Sequence, residues 1–175
     1  MVRADRKAPG MEGKASAVNL TTRPEIITSK PAFLVYLEKI GPFLKTAPAA
    51  WKEFWSIAGG LFDPSQIAGM AALSRIDHNK TGDDAFTYQA GVTLKSKPAQ
   101  IPPGLKSRQL ESGKYSRFLL TGSYSQLPAA YPKAFSILKD AGLEIRDDFC
   151  VERYLNTPQD TAEDRLETEI LIPVV

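Results

Sequence analysis

Two stretches of this chain repeat one another, and the repeat limits what the whole can fold into. GPFLKTAPAAWKEFWSIAGG starts at Gly41 and GSYSQLPAAYPKAFSILKDAG at Gly122. Superposing Pro48-Ala49-Ala50-Trp51 on Pro128-Ala129-Ala130-Tyr131 gives an offset of 80 residues, which also carries Trp55 onto Phe135. The stripe Trp51, Phe54, Trp55, Ala58 then falls on Tyr131, Ala134, Phe135, Leu138. Both stripes have the i, i+3, i+4, i+7 spacing of an amphipathic helix. Pro48 and Pro128 suit a first helical turn, where a missing N–H costs nothing. Thr46 is the expected cap of the first helix, and Gly59-Gly60 and Gly142 are the expected left-handed stops. Pro132 predicts that the second helix starts late or bends near its first turn.

Strand patterns flank both helices in the same order. AFLVYLEKIG and KYSRFLLTG precede them; GMAALSRID with AFTYQAGVTL, and CVERYLN with RLETEILIPV, follow. The second hairpins keep the offset, since Tyr88 falls on Thr168, Gln89 on Glu169 and Val92 on Ile172. The chain is therefore expected to be α+β, with two pseudo-twofold-related β-α-β-β units. Each helix can bury only one stripe, and a lone unit leaves a sheet edge bare. The units should pair edge to edge into one antiparallel sheet, both helices on one face, with a central cleft along the pseudo-twofold axis. The expected boundaries are a flexible tail at 1–22, a first repeat at about 23–95, a connector at about 96–112 and a second repeat at about 113–175. The connector, rich in Pro, Gly and Ser, is expected to carry the start of the second unit's first strand.

Composition removes several function classes. Twenty-two basic and 20 acidic residues are interspersed and leave a net charge of +2, so no basic face for direct nucleic-acid binding is expected. One cysteine, Cys150, and one histidine, His78, allow neither an internal disulfide nor a structural zinc site. His78 sits in DHNKTGDD, a run of turn formers that predicts an exposed hairpin tip and not a catalytic triad. Glu163, Asp164, Glu167 and Glu169 lack the glycine and alternating-acid geometry of a calcium loop, so a solvated hairpin without metal is expected. No apolar run approaches the ~20 residues of a membrane helix, and the N-terminus lacks the apolar core of a secretory signal. A cytoplasmic protein is expected.

CVERYLN, Cys150 to Asn156, is the segment that asks for a function. Period-two alternation puts Phe149, Val151, Arg153 and Leu155 on one face and Cys150, Glu152, Tyr154 and Asn156 on the other. A half-buried carboxylate needs a partner. Either Glu152 pairs with a base such as Arg75 of the other unit, or something outside the chain meets it. The offset places Ala72 opposite Glu152, so the fold does not require an acid there. Among the aromatic residues, Trp51 and Trp55 are either core or a wall whose faces attract cations. The hydroxyls of Tyr154 and Tyr88 can orient a ligand or hydrogen-bond the carboxylate. Tyr36, Phe118 and Tyr124 complete the candidates.

ESGKYSRFLLTGSYSQLPAAYPKAFSIL, CVERYLNTP and the closing ETEILIPV, with KIGPF and YQAGVTL in the first half, resemble the GyrI-like small-molecule-binding domain, also found as the effector-binding domain of multidrug-responsive transcription activators. The resemblance runs from about Pro24 to Val175. It implies a sheet with two helices over a cleft for hydrophobic, amphipathic or cationic aromatic compounds, with Glu152 as the polar anchor. Too few residues precede the first strand for a helix-turn-helix domain, so a stand-alone sensor, scavenger or enzyme is expected. Some stand-alone members are hydrolases that open cyclopropane rings of electrophilic natural products with a cleft glutamate; that is the alternative, with Glu152 as general base. Others bind proteins, DNA gyrase among them, which makes a protein-interaction or inhibitor module the second alternative. With the histidine in a loop, neither haem nor another cofactor is expected.

Overall fold

The computed structural model of the chain describes residues 17–175. Its elements are β1 (Glu25–Thr28), β2 (Ala32–Ile40), α1 (Phe43–Ala58), β3 (Ile67–Ile76), β4 (Phe86–Leu94), β5 (Lys106–Leu110), β6 (Lys114–Thr121), α2 (Leu127–Asp140), β7 (Cys150–Tyr154) and β8 (Glu167–Pro173). All strands join one antiparallel sheet in the order β1-β6-β8-β7-β3-β4-β2-β5, and the two units meet where β3 pairs with β7.

Register fixes the faces. Leu37, Ala90, Ala72, Glu152, Ile170 and Phe118 are successive partners across six strands and share one side. α1 lays Ala50, Phe54 and Ala58 on this side over Val35, Leu37 and Ala90. α2 lays Ala130, Ala134 and Leu138 over Phe118, Leu120 and Ile170. These helix triplets are related by the offset of 80, so the internal repeat is also a packing repeat. The stripes differ from expectation at one rim, because Trp55 and Phe135 are 39% and 36% exposed. The other side carries Leu34, Tyr36, Leu73, Tyr115, Val151 and Leu171. Gly91 lets β4 approach β2 there, since a Cβ would lie 2.0 Å from the Val35 carbonyl oxygen.

Helix ends differ in detail from the sequence reading. α1 starts at Phe43, so Thr46 is inside it, and its hydroxyl donates back to the carbonyls of Gly41 and Pro42 at 3.3 and 3.2 Å. α2 starts at Leu127 and runs through Pro132, which neither delays it nor ends it. An absent amide at that position forfeits one bond, to the Pro128 carbonyl. Gly60 and Gly142 take φ of +78° and +68°, the left-handed stops.

The repeat extends one strand further than its sequence signal. β1 does not join its own unit but pairs with β6 of the second; β5, from the connector, pairs with β2 of the first instead of leading into β6. Within the expected tail, Leu20 is 4% exposed and bridges to Leu120, so residues 19–21 lie on the sheet; residues 1–16 of that tail lie outside the described residues. The two connections touch, with the Ser29 N–H donating to the Gly113 carbonyl at 2.8 Å and the Gly113 N–H to Ser29 Oγ at 3.0 Å.

This exchange forces curvature. β1 and β2 are six strand spacings apart, roughly 29 Å in a flat sheet, while the three residues between them reach at most about 14 Å. The sheet must curl, and the curl closes on the helix-free side. The Arg108 guanidinium on edge strand β5 accordingly lies 5.0 Å from the ring centroid of Phe149, beside central strand β7. Glu169, expected in a solvated hairpin, belongs to β8 and bridges Arg117 at 3.1 Å and Arg153 at 3.8 Å. Among the described residues no group of three or more His, Cys, Asp or Glu is placed to hold a metal ion, and no helix is long and apolar enough to cross a membrane.

Candidate functional site

Glu152 stands at the centre of the helix side, on β7 beside the seam between the two units. Its Cα partners are Ala72 on β3 and Ile170 on β8, so neither residue directly across from it is polar. The side chain is 5% exposed. Two tyrosine hydroxyls hold it: Tyr131 on α2 donates to Oε1 at 2.9 Å, and Tyr154, two residues along the same strand, donates to Oε2. The expected alternative partner, Arg75, lies on the opposite face and pairs with Asp147 at 3.1 Å. Glu152 makes no ion pair among the described residues.

Burial pushes the Glu152 carboxyl above its ordinary value of 4.5, and the hydroxyls of Tyr154 and Tyr131 pull only partly the other way. Burial first, and the Glu152 charge second, raise Tyr131 and Tyr154 well above the ordinary 10, so both remain protonated donors. Tyr88 is raised by the same causes. The Cys150 thiol is pushed up to about 12 by burial and then by the charges of Glu152 and Asp148, which leaves it a poor nucleophile.

Aromatic rings surround this carboxylate from both units. On α1, Trp51 stacks with Trp55 at 6.5 Å between centroids and meets the ring of Tyr154 edge-on at 5.5 Å. The Trp51 Nε1–H donates to the Tyr88 hydroxyl at 3.1 Å. On α2, Tyr131 lies 6.2 Å from Phe135, the counterpart of the tryptophan pair at the offset of 80. Tyr124 packs edge-on against Tyr154 at 5.3 Å, its hydroxyl donating to the Asn156 carbonyl.

The structure thus gathers Glu152, Tyr154, Trp51, Trp55, Tyr88 and Tyr124. It does not bring Tyr36 with them, because β2 turns Val35 and Leu37 to the helices and Tyr36 to the other face. Phe118 is on the helix side but fully buried in the core beneath α2. Tyr131 was missed as a polar contributor. The offset that matches it to Trp51, already a candidate wall, was the signal that could have found it. A cavity of about 860 Å³ opens on the concave side of the sheet, away from Glu152.

Comparisons with known proteins agree with this architecture. Residues 22–175 match the family model of the GyrI-like small molecule binding domain. Among solved structures, the C-terminal domain of EcmrR is 13% identical with a TM-score of 0.65, covering 87% of this chain and 97% of that one. SAV2435, solved bound to tetraphenylphosphonium, is 13% identical with a TM-score of 0.68 and coverages of 87% and 94%. A hydrolase from Listeria innocua is 12% identical with a TM-score of 0.56 and coverages of 88% and 92%. At such identities the likeness is one of fold. No curated protein matches by sequence.

Proposed function

The chain belongs to the family of GyrI-like small molecule binding domains, and from that premise we propose that it binds a hydrophobic aromatic cation on the helix side of its sheet. Glu152 is the counter-charge, Trp51, Trp55 and Phe135 are the walls, and Tyr131 and Tyr154 hold the carboxylate in place. The observation that carries this reading is a buried carboxylate that has two neutral donors and, among the described residues, no cation, set among aromatic rings of both units. A desolvated carboxylate of this kind is costly to leave unpaired. A cationic ligand supplies the missing charge, and tryptophan and tyrosine faces attract the same charge. Trp55 and Phe135, partly exposed on the two helices, are where a ligand first makes contact. The cation bound to SAV2435, which shares the fold, supports the ligand class.

Titration with tetraphenylphosphonium tests this reading. Binding over the stacked pair Trp51 and Trp55 is expected to quench tryptophan fluorescence saturably, and neutral triphenylphosphine oxide is expected to bind more weakly. Equal affinity for the two would remove the counter-charge role from Glu152.

A second reading, hydrolysis of an electrophilic ligand with Glu152 as general base, is favoured by the raised pKa of that carboxyl. Burial that raises a carboxyl's pKa makes it a stronger base, as a general base requires. The fold shared with the Listeria innocua hydrolase is consistent with it.

A further inference from the structure

The concave side of the sheet is a chamber of opposite chemistry. Its floor is apolar, built around Leu73, Val151 and Leu171, all buried. The volume of about 860 Å³ falls within the range of small-molecule sites. The charged side chains lining the chamber are Lys30, Arg108, Arg117, Arg146, Arg153, Glu111 and Asp148; Arg117 is paired with Glu25 and Glu169, and Arg146 with Asp148.

Two of these guanidiniums are more loosely paired than the rest. Arg108 makes no ion pair within contact distance among the described residues; it donates to Gln89 Oε1 at 3.3 Å, lies over Phe149, and feels Glu38, which is itself paired with Lys106, only at longer range. Arg153 reaches a carboxylate only at 3.8 Å, and that carboxylate, Glu169, also serves Arg117 at 3.1 Å. Arginine is the side chain suited to a carboxylate, which its planar fork meets with two parallel hydrogen bonds. We propose that the concave interior is a second binding site, for an amphipathic monoanion whose carboxylate is received by Arg108 and Arg153 and whose hydrocarbon body lies on Leu73, Val151 and Leu171. Glu152 and Arg153, adjacent on β7, then serve opposite charges on opposite faces.

Decanoate, titrated calorimetrically into the full chain below its micelle concentration, is the test. One saturable site is expected, and 1-decanol should bind at least about tenfold more weakly, since a hydrogen bond to a charged group contributes at least about 1.5 kcal/mol. The double variant Arg108→Gln/Arg153→Gln should lose about tenfold in decanoate affinity, whereas Arg153→Lys, which keeps the charge, should lose less. Methyl resonances of Leu73, Val151 and Leu171 should shift while the indole N–H signals of Trp51 and Trp55 stay in place. Three results would overturn the proposal: decanoate and decanol binding alike, the double variant binding as wild type, or the indole signals moving in place of the methyls. Strengthened decanoate binding in Glu152→Gln would place the anion on the helix side and overturn it equally.

Discussion

A fragment of residues 17–97 is expected not to fold, although it contains one entire β-α-β-β unit. It keeps β1 to β4 and α1 but loses β6 from β1, β5 from β2 and β7 from β3. β1 would then have no partner strand, and both edges of the remaining three-stranded sheet would be bare. Leu20 would lose Leu120, and the concave-side residues Leu34 and Leu73 would lose Tyr115, Val151 and Leu171. A single helix on so small a sheet buries too little apolar surface to offset the chain entropy. Proton–nitrogen correlation spectra of the fragment should show collapsed amide dispersion, and thermal melts no cooperative transition. Co-expression with residues 98–175 should restore both. A dispersed spectrum from the fragment alone would mean that the exchanged strands are ornamental.

Replacing Glu152 by glutamine should weaken an aromatic cation by about 2 kcal/mol, roughly 30-fold, while a neutral ligand of similar shape loses little. The amide keeps the shape and removes the charge. Because folding raises this carboxyl above 4.5, part of the population is protonated in mildly acidic solution. Cation affinity should therefore rise with pH through that raised pKa and level off above it. In Glu152→Gln the same titration should be flat. If hydrolysis occurs, turnover should climb over the same interval and vanish in the mutant, as a general base requires. Calorimetry from pH 4 to 8 decides the matter. A pH-dependent affinity that persists in the mutant would assign the titration to another group.

What the sequence made legible follows from where the physical signal is local. The helix stripes, the offset of 80 and the opposition of Ala72 to Glu152 all rest on short-range periodicity, and the register of β3 against β7 agrees with them. The exchange of β1 and β5 was not legible. These strands are only four and five residues long, largely exposed, and their partners are distant in sequence. The face of Tyr36 was not legible because β2 is apolar on both sides: Leu34 to Leu37 are all buried, and a two-sided strand erases the alternation that distinguishes its faces. Tyr154 was recognised beside Glu152 because both sit on one strand, whereas the role of Tyr131 depends on how close α2 rests above β7. The concave chamber has no sequence signature, since it exists only once the sheet has curled.

The pairing of Ala72 with Glu152 bears on how such a site could arise. Two identical copies of one half, assembled as a symmetric dimer, would place the same residue at both positions. With glutamate in each, two carboxylates would face one another from Cα atoms about 5 Å apart, and their repulsion would keep one of them protonated. With alanine in each there would be no charge at all. Joining the halves in one chain breaks that tie and leaves a single acid at the centre of a seam that is symmetric in register but not in side chains. On the proposed reading, a lopsided guest would have one preferred way round, with its charged end towards β7 and its neutral end towards β3.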